Sequence, residues 1–205
     1  MSALPRDTKS TATPIPVELA VGDVVFIRIR AKPFHAIATV TRSWTNHVAV
    51  VLDVEGKEPL IGESRFPFSG TTTLSRFLAR SEGGRYALAR LHHPLTVEQQ
   101  VRLKTAAQRR HGIHYDTGFD LHSSGLFCSR YVSEVLADAT GIQVGEVQTF
   151  ADLLVQQPDA NLAFWKLWYF GRIPWTRETV SPASLLRSPK LQLLHDSAMA
   201  VQPAH

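Results

Sequence analysis

The sequence predicts an α+β domain with an antiparallel sheet packed against helices. Strand-like runs precede Pro94, and helical spacing follows it. The two do not alternate as a chain of βαβ units would require.

Residues 1–16 are rich in Ser, Thr and Pro and read as a flexible N-terminal arm. The folded domain is expected over residues 17–182, with a C-terminal tail over 183–205. Gly22-Asp23 supplies a turn into Val24-Val25-Phe26-Ile27, an apolar run of buried-strand type. His47 to Val54 is the most strand-like stretch, rich in β-branched residues. Glu55-Gly56-Lys57-Glu58-Pro59 has turn chemistry, so a second strand over Leu60 to Arg65 closes a hairpin. A further short strand is expected over Arg85 to Arg90. Thr96 with Gln99 forms a capping-box pattern, followed by apolar residues at Val101, Leu103, Ala106 and Ala107. A glycine-bearing loop, His111 to Ser124, leads to a second helix over Phe127 to Ala139, stopped by Gly141. The aromatic segment Phe164 to Phe170, with Trp175, is expected to pack onto the domain; a surface offered to a lipid or acyl chain is the alternative.

Bulk composition narrows the function classes. The chain has 205 residues, 44% hydrophobic and 20% charged, which is the composition of a globular domain. Its net charge of +4 is spread along the chain. No basic stripe with interleaved aromatics stands out, so no nucleic-acid partner is expected. A single cysteine excludes an intrachain disulfide and fits a reducing compartment. There is no apolar leader and no run of membrane-spanning length, so a cytoplasmic location without membrane insertion is expected. His92-His93 and the pair His111 and His114 lack partners at a familiar ligand spacing, so neither metal nor cofactor is expected.

The chemistry centres on Cys128. The run Ser124-Gly125-Leu126-Phe127 delivers it to the first turn of a helix. Open N–H groups and the positive end of the helix dipole there favour the thiolate. Considered alone, a lone cysteine on an apolar helix face is an ordinary core residue. His47 opens its strand at a loop mouth, where an imidazole can face a cleft. A hairpin about Glu55-Gly56 sets Glu63 opposite His47 or one position off. Cross-strand neighbours have Cβ atoms roughly 4.5–5.5 Å apart, within reach of a carboxylate holding one ring nitrogen. That is the arrangement of nucleophile, base and orienting group. Trp44, Tyr115 and Tyr131 are candidates to line the substrate site or to complete an oxyanion hole with the Cys128 backbone N–H.

These strings together resemble a known family. Gly22-Asp23-Val24-Val25-Phe26, Asn46-His47-Val48-Ala49-Val50-Val51, Glu63-Ser64 and Phe127-Cys128-Ser129-Arg130-Tyr131-Val132 are similar to the circularly permuted branch of the papain-like NlpC/P60 superfamily, of YiiX/YebB-like type. In that branch the histidine strand precedes the cysteine helix, as it does here. The resemblance implies a permuted papain-like fold with Cys128 as nucleophile, His47 as general base and Glu63 as the residue that orients the imidazole. It also implies a cysteine hydrolase or acyl transferase acting on an amide, ester or thioester bond. The expected partner is a small-molecule, lipid-like or peptide-like acyl substrate. The rival expectation is a catalytically silent cleft that binds such a ligand.

Overall fold

Val24-Val25-Phe26-Ile27 is apolar without alternation, which suits a strand covered on both faces. In the computed structural model, which describes residues 15–155, 157, 160 and 162–198, these four residues are fully buried in β1 (Val24–Ile29). β1 pairs antiparallel with β2 (His47–Asp53) on one side and β5 (Ser81–Leu91) on the other. With β3 (Leu60–Glu63), β4 (Gly70–Thr73) and β8 (Leu191–Asp196) they form one antiparallel sheet in the order β4-β3-β2-β1-β5-β8. β6 (Val147–Thr149) and β7 (Glu178–Val180) form a separate two-stranded ribbon.

Strand alternation divides the core between the two faces of the sheet. Val24, Phe26, Val48 and Val50 join the larger cluster, which includes α3 (Val97–Arg109) and α4 (Cys128–Thr140). Val25, Ile27, Ala49 and Val51 join a smaller one with Leu74 and Phe77 of α2 (Leu74–Leu78). The capping box opens α3: Gln99 N–H donates to Thr96 Oγ1, and Thr96 N–H to Gln99 Oε1. Gly141 ends α4 at φ 75, the left-handed backbone that glycine adopts without a Cβ penalty. Asp23 is fully buried and clamped by Arg90 at 2.6 and 2.9 Å, so the Gly22-Asp23 strand entry is structural.

Two features depart from the sequence reading. Lys32–Val40 forms a helix, α1, with Pro33 in its first turn, where the absent N–H costs nothing. The expected tail is corrected as far as Asp196: residues 183–196 carry a helix and a strand of the fold. α7 (Pro182–Leu186) packs on α4, and β8 zips onto β5 with Leu91 opposite Leu191. β8 escaped notice because an edge strand with one exposed face carries little hydrophobic pattern. The expected N-terminal arm lies outside the described residues, except for its last two positions.

Gly62 makes room for the tip of the Tyr131 side chain from α4. A Cβ there would meet the Tyr131 hydroxyl and lie 2.9 Å from Leu52 Cδ1. Gly62→Ala is therefore expected to lower stability by about 1–3 kcal/mol, the range for overpacking. The check is the denaturant midpoint, compared with wild type at an unchanged m-value.

Candidate active site

Cys128 is the first residue of α4, and its side of the helix is capped by backbone alone. Phe127 at the N-cap is extended and makes no side-chain cap. The first-turn N–H groups thus remain open. The N–H groups of Val48 and Ser129 are directed at the sulfur. Cys128 is 4% exposed.

His47 is fixed by the loop before it. Thr45 Oγ1 donates to the carbonyls of Ile27 and His47, while the Asn46 side chain brackets Ile29 at 2.7 and 3.1 Å. That amide extends the β1–β2 ladder by one side-chain rung, so the strand begins at the imidazole. Phe34 meets the ring edge-on, and Phe77 lies tilted over it at 5.6 Å. By alternation His47 belongs to the Phe77 side of the sheet, whereas Cys128 packs with the opposite cluster. The two meet at the end of β2.

Glu63 holds His47 Nε2 at 2.7 Å. The register is not the one expected. Val50 faces Gly62 and Val51 faces Ile61, which on continuation sets Glu63 opposite Ala49. His47 is then the diagonal neighbour two positions along. A shift of two preserves the face, so the contact survives where a shift of one would have broken it. Glu63 Oε1 accepts from Arg80 at 2.6 Å, with Arg65 at 3.5 Å. The Arg80 guanidinium also stands 5.0 Å from the Phe77 ring centre. A line Arg80–Glu63–His47–Cys128 results.

The electrostatics follow from this line. Burial pushes the Cys128 thiol up, but the facing His47 charge and the two backbone N–H groups hold it below its ordinary value. Burial opposes charging of His47, yet the facing sulfur and Glu63 raise it to about 9. Burial likewise works against the Glu63 carboxylate, and His47 and Arg80 overcome it. Both shifts act in the direction of a thiolate facing an imidazolium.

Tyr115 completes the centre. Its backbone is held by Pro67 at 2.8 Å and bridges to Leu126. The loop around it is tied by the Asp116 carboxylate, which accepts from Gly118 N–H, Asp120 N–H and the Ser123 hydroxyl. Among the described residues, the only buried side-chain nitrogen or oxygen atoms without a hydrogen-bond partner are His47 Nδ1 and the Tyr115 hydroxyl. The Cys128 sulfur approaches both closely enough to shift their acidity, short of a formed hydrogen bond. Burial first, and then the Cys128 charge, keep Tyr115 protonated well above the usual phenol range.

Trp44 is half-buried against the larger core cluster, with Arg85 stacked 4.2 Å from its ring, and does not line the slot at Cys128. Tyr131 lies within the core, its hydroxyl over Gly62. Sequence reasoning missed Arg80, and it missed a slot that opens onto Cys128. The slot is walled by Ile37, Val40, Phe119, Phe150, Leu153 and Trp165, drawn from α1, α5 (Phe150–Val155), α6 (Leu162–Trp168) and the loop before α4. It adjoins a more polar hollow bearing Glu146, Ser184 and Arg187. Aromatic content after Phe164 was the one sequence signal for it.

Comparison with known proteins agrees with this fold. Residues 18–195 match the family model described as "Permuted papain-like amidase enzyme, YaeF/YiiX, C92 family". The uncharacterized protein YiiX of Escherichia coli strain K12 is 31% identical over 170 residues, covering 83% of each chain. A crystal structure of "metalloprotein yiiX" from Escherichia coli O157:H7 superposes with a TM-score of 0.79 at 30% identity. The match covers 85% of this chain and 96% of that one. The metal in that description belongs to that protein. Among the described residues here, no three His, Cys, Asp or Glu side chains are grouped to hold an ion, and both Glu63 oxygens are engaged by His47 and Arg80.

Proposed function

The chain belongs to the permuted papain-like amidase family of YaeF/YiiX type, and from that premise we propose that Cys128 cleaves or transfers an acyl group held by an amide, ester or thioester bond. The carrying observation is the pair of orphaned polar atoms. An unsatisfied buried polar atom costs about 1–3 kcal/mol, and native proteins keep few. Here both lie against the one cysteine.

Each atom has a task in acyl transfer. His47 Nδ1 takes the thiol proton, leaving a thiolate and an imidazolium steadied by Glu63 on Nε2. The sulfur attacks the substrate carbonyl carbon, and the electron pair of the C=O moves onto oxygen. The Cys128 N–H at the helix start and the Tyr115 O–H receive that oxyanion. As the C–S bond persists and the bond to the leaving group breaks, the imidazolium gives its proton to the departing amine, alcohol or thiol. Water or another acceptor then loses a proton to His47, attacks the thioester and frees the sulfur. The apolar slot suits an apolar acyl group, and the adjoining hollow suits a polar leaving group.

The test is labelling of Cys128 by a thiol-directed electrophile across a pH series. In wild type the lowered thiol pKa brings reactivity in as pH rises, well before the ordinary thiol value of about 8.5. In His47→Ala the charge that does most to lower it is gone and burial is opposed only by the two backbone N–H groups, so the onset moves to higher pH. Turnover should also decline as pH rises through about 9, where His47 loses the proton owed to the leaving group. Matching profiles in the two proteins would remove the dyad and leave a cleft that only binds.

A further inference from the structure

The aromatic segment does two jobs on its two faces. On the inner face of α6, Trp165 is buried and packs edge-on against Phe150. Trp168 Nε1 donates to the Thr117 carbonyl and Tyr169 Oη to the Gly118 carbonyl, each at 3.0 Å. The helix is thus anchored. Its outer face is also apolar, which packing does not require: Leu167 is 80% exposed and Phe170 is 96% exposed.

Phe170 is displayed at a conformational cost. It ends the helix at φ 50, in the left-handed region that bulky residues rarely adopt, with Gly171 following at φ 88. The turn is closed by Gly171 N–H to the Lys166 carbonyl at 2.6 Å. Lys166 and Arg172 flank Phe170 in the sequence, and neither forms an ion pair with any described residue. Beside the ring is a shallow hollow lined by Thr117, Gly118, Leu167, Phe170, Arg172 and Arg177. Arg177 is already engaged by Asp120 and the Tyr169 ring. Arg172 is the free cation of the hollow among the described residues.

We propose that this ridge seats the protein on an anionic lipid surface, Leu167 and Phe170 entering the acyl boundary while Lys166 and Arg172 meet headgroup phosphates. The charge fits: exposed apolar side chains beside cations that pair with no described residue match the interfacial zone of a bilayer with negative lipids. A stable protein interface buries about 800 Å² per partner around a well-packed centre, which one protruding turn does not offer. No helix of the described residues is long and apolar enough to cross a membrane, so the contact is peripheral. This inference does not depend on the thiol chemistry.

The experiment is cosedimentation of the full chain with phosphatidylcholine vesicles, with and without phosphatidylglycerol. Binding is expected only with phosphatidylglycerol and should weaken as salt rises. Phe170→Ser and Leu167→Ser should each weaken partitioning at least about tenfold. Lys166→Ala and Arg172→Ala should each weaken it about fivefold. Thermal midpoint and Cys128 labelling serve as folding controls and should not move. Absence of binding to the anionic vesicles overturns the proposal. So does binding indifferent to Phe170 and Leu167, which would be attraction to net charge alone. Lipid-free self-association abolished by Phe170→Ser would assign the ridge to a protein interface instead.

Discussion

Glu63→Ala is expected to lower stability by about 3–5 kcal/mol, the cost of removing one partner from a buried charged pair. Glu63 is 1% exposed, and its two oxygens hold His47 at 2.7 Å and Arg80 at 2.6 Å. Alanine leaves a cavity, an imidazole Nε2 without its acceptor and a guanidinium that must turn to solvent. Glu63→Gln keeps the volume and should cost less, while still losing the charge that steadies the imidazolium. The pH dependence supplies the sign. The Glu63 pKa is lowered in the fold, so its stabilisation is present at neutral pH and is lost as pH falls through that lowered value. Denaturation midpoints of wild type and Glu63→Ala should therefore converge in acid. A constant gap down to low pH would mean that the lost packing, not the charge, sets the cost.

Tyr115→Phe is expected to reduce turnover about a hundredfold to a thousandfold, the usual effect of deleting one oxyanion donor. The loss should fall on kcat, because the carbonyl oxygen of bound substrate gains its full charge only in the transition state. Removing a hydroxyl with no partner in the resting protein should not destabilise the fold. Labelling of Cys128 separates this role from that of His47. An alkylating electrophile creates no oxyanion, so Tyr115→Phe should label as wild type does, whereas His47→Ala should not. Equal loss in both assays would make Tyr115 a packing residue of the thiol and not a donor.

The parts legible in the sequence were those set by local rules. The unbroken apolar run at Val24 announced a central strand, Thr96 and Gln99 announced a helix start, and Gly141 announced a stop. Hairpin arithmetic brought Glu63 to His47 despite a wrong register, because the error of two positions keeps side chains on one face. The rest depended on distant encounters. Arg80 reaches Glu63 from beyond α2, and nothing about an arginine in a turn singles out that carboxylate. Tyr115 could not be told from Trp44 or Tyr131, since only the ties to Pro67, Leu126 and Asp116 aim its hydroxyl at the sulfur. The slot draws walls from segments far apart in the chain, so no spacing encodes it.

β8 has a consequence for solubility. β5 is eleven residues long, and its middle, Tyr86-Ala87-Leu88-Ala89, is buried. The last strand to join the sheet covers that edge, with Arg85 gripping Asp196 through two hydrogen bonds at the far end. A chain cut before Leu191 would keep every residue of the thiol centre and yet bare a long apolar row of unpaired N–H and C=O groups, a template for edge-to-edge aggregation. The terminal strand thus acts as a seal against self-pairing between molecules.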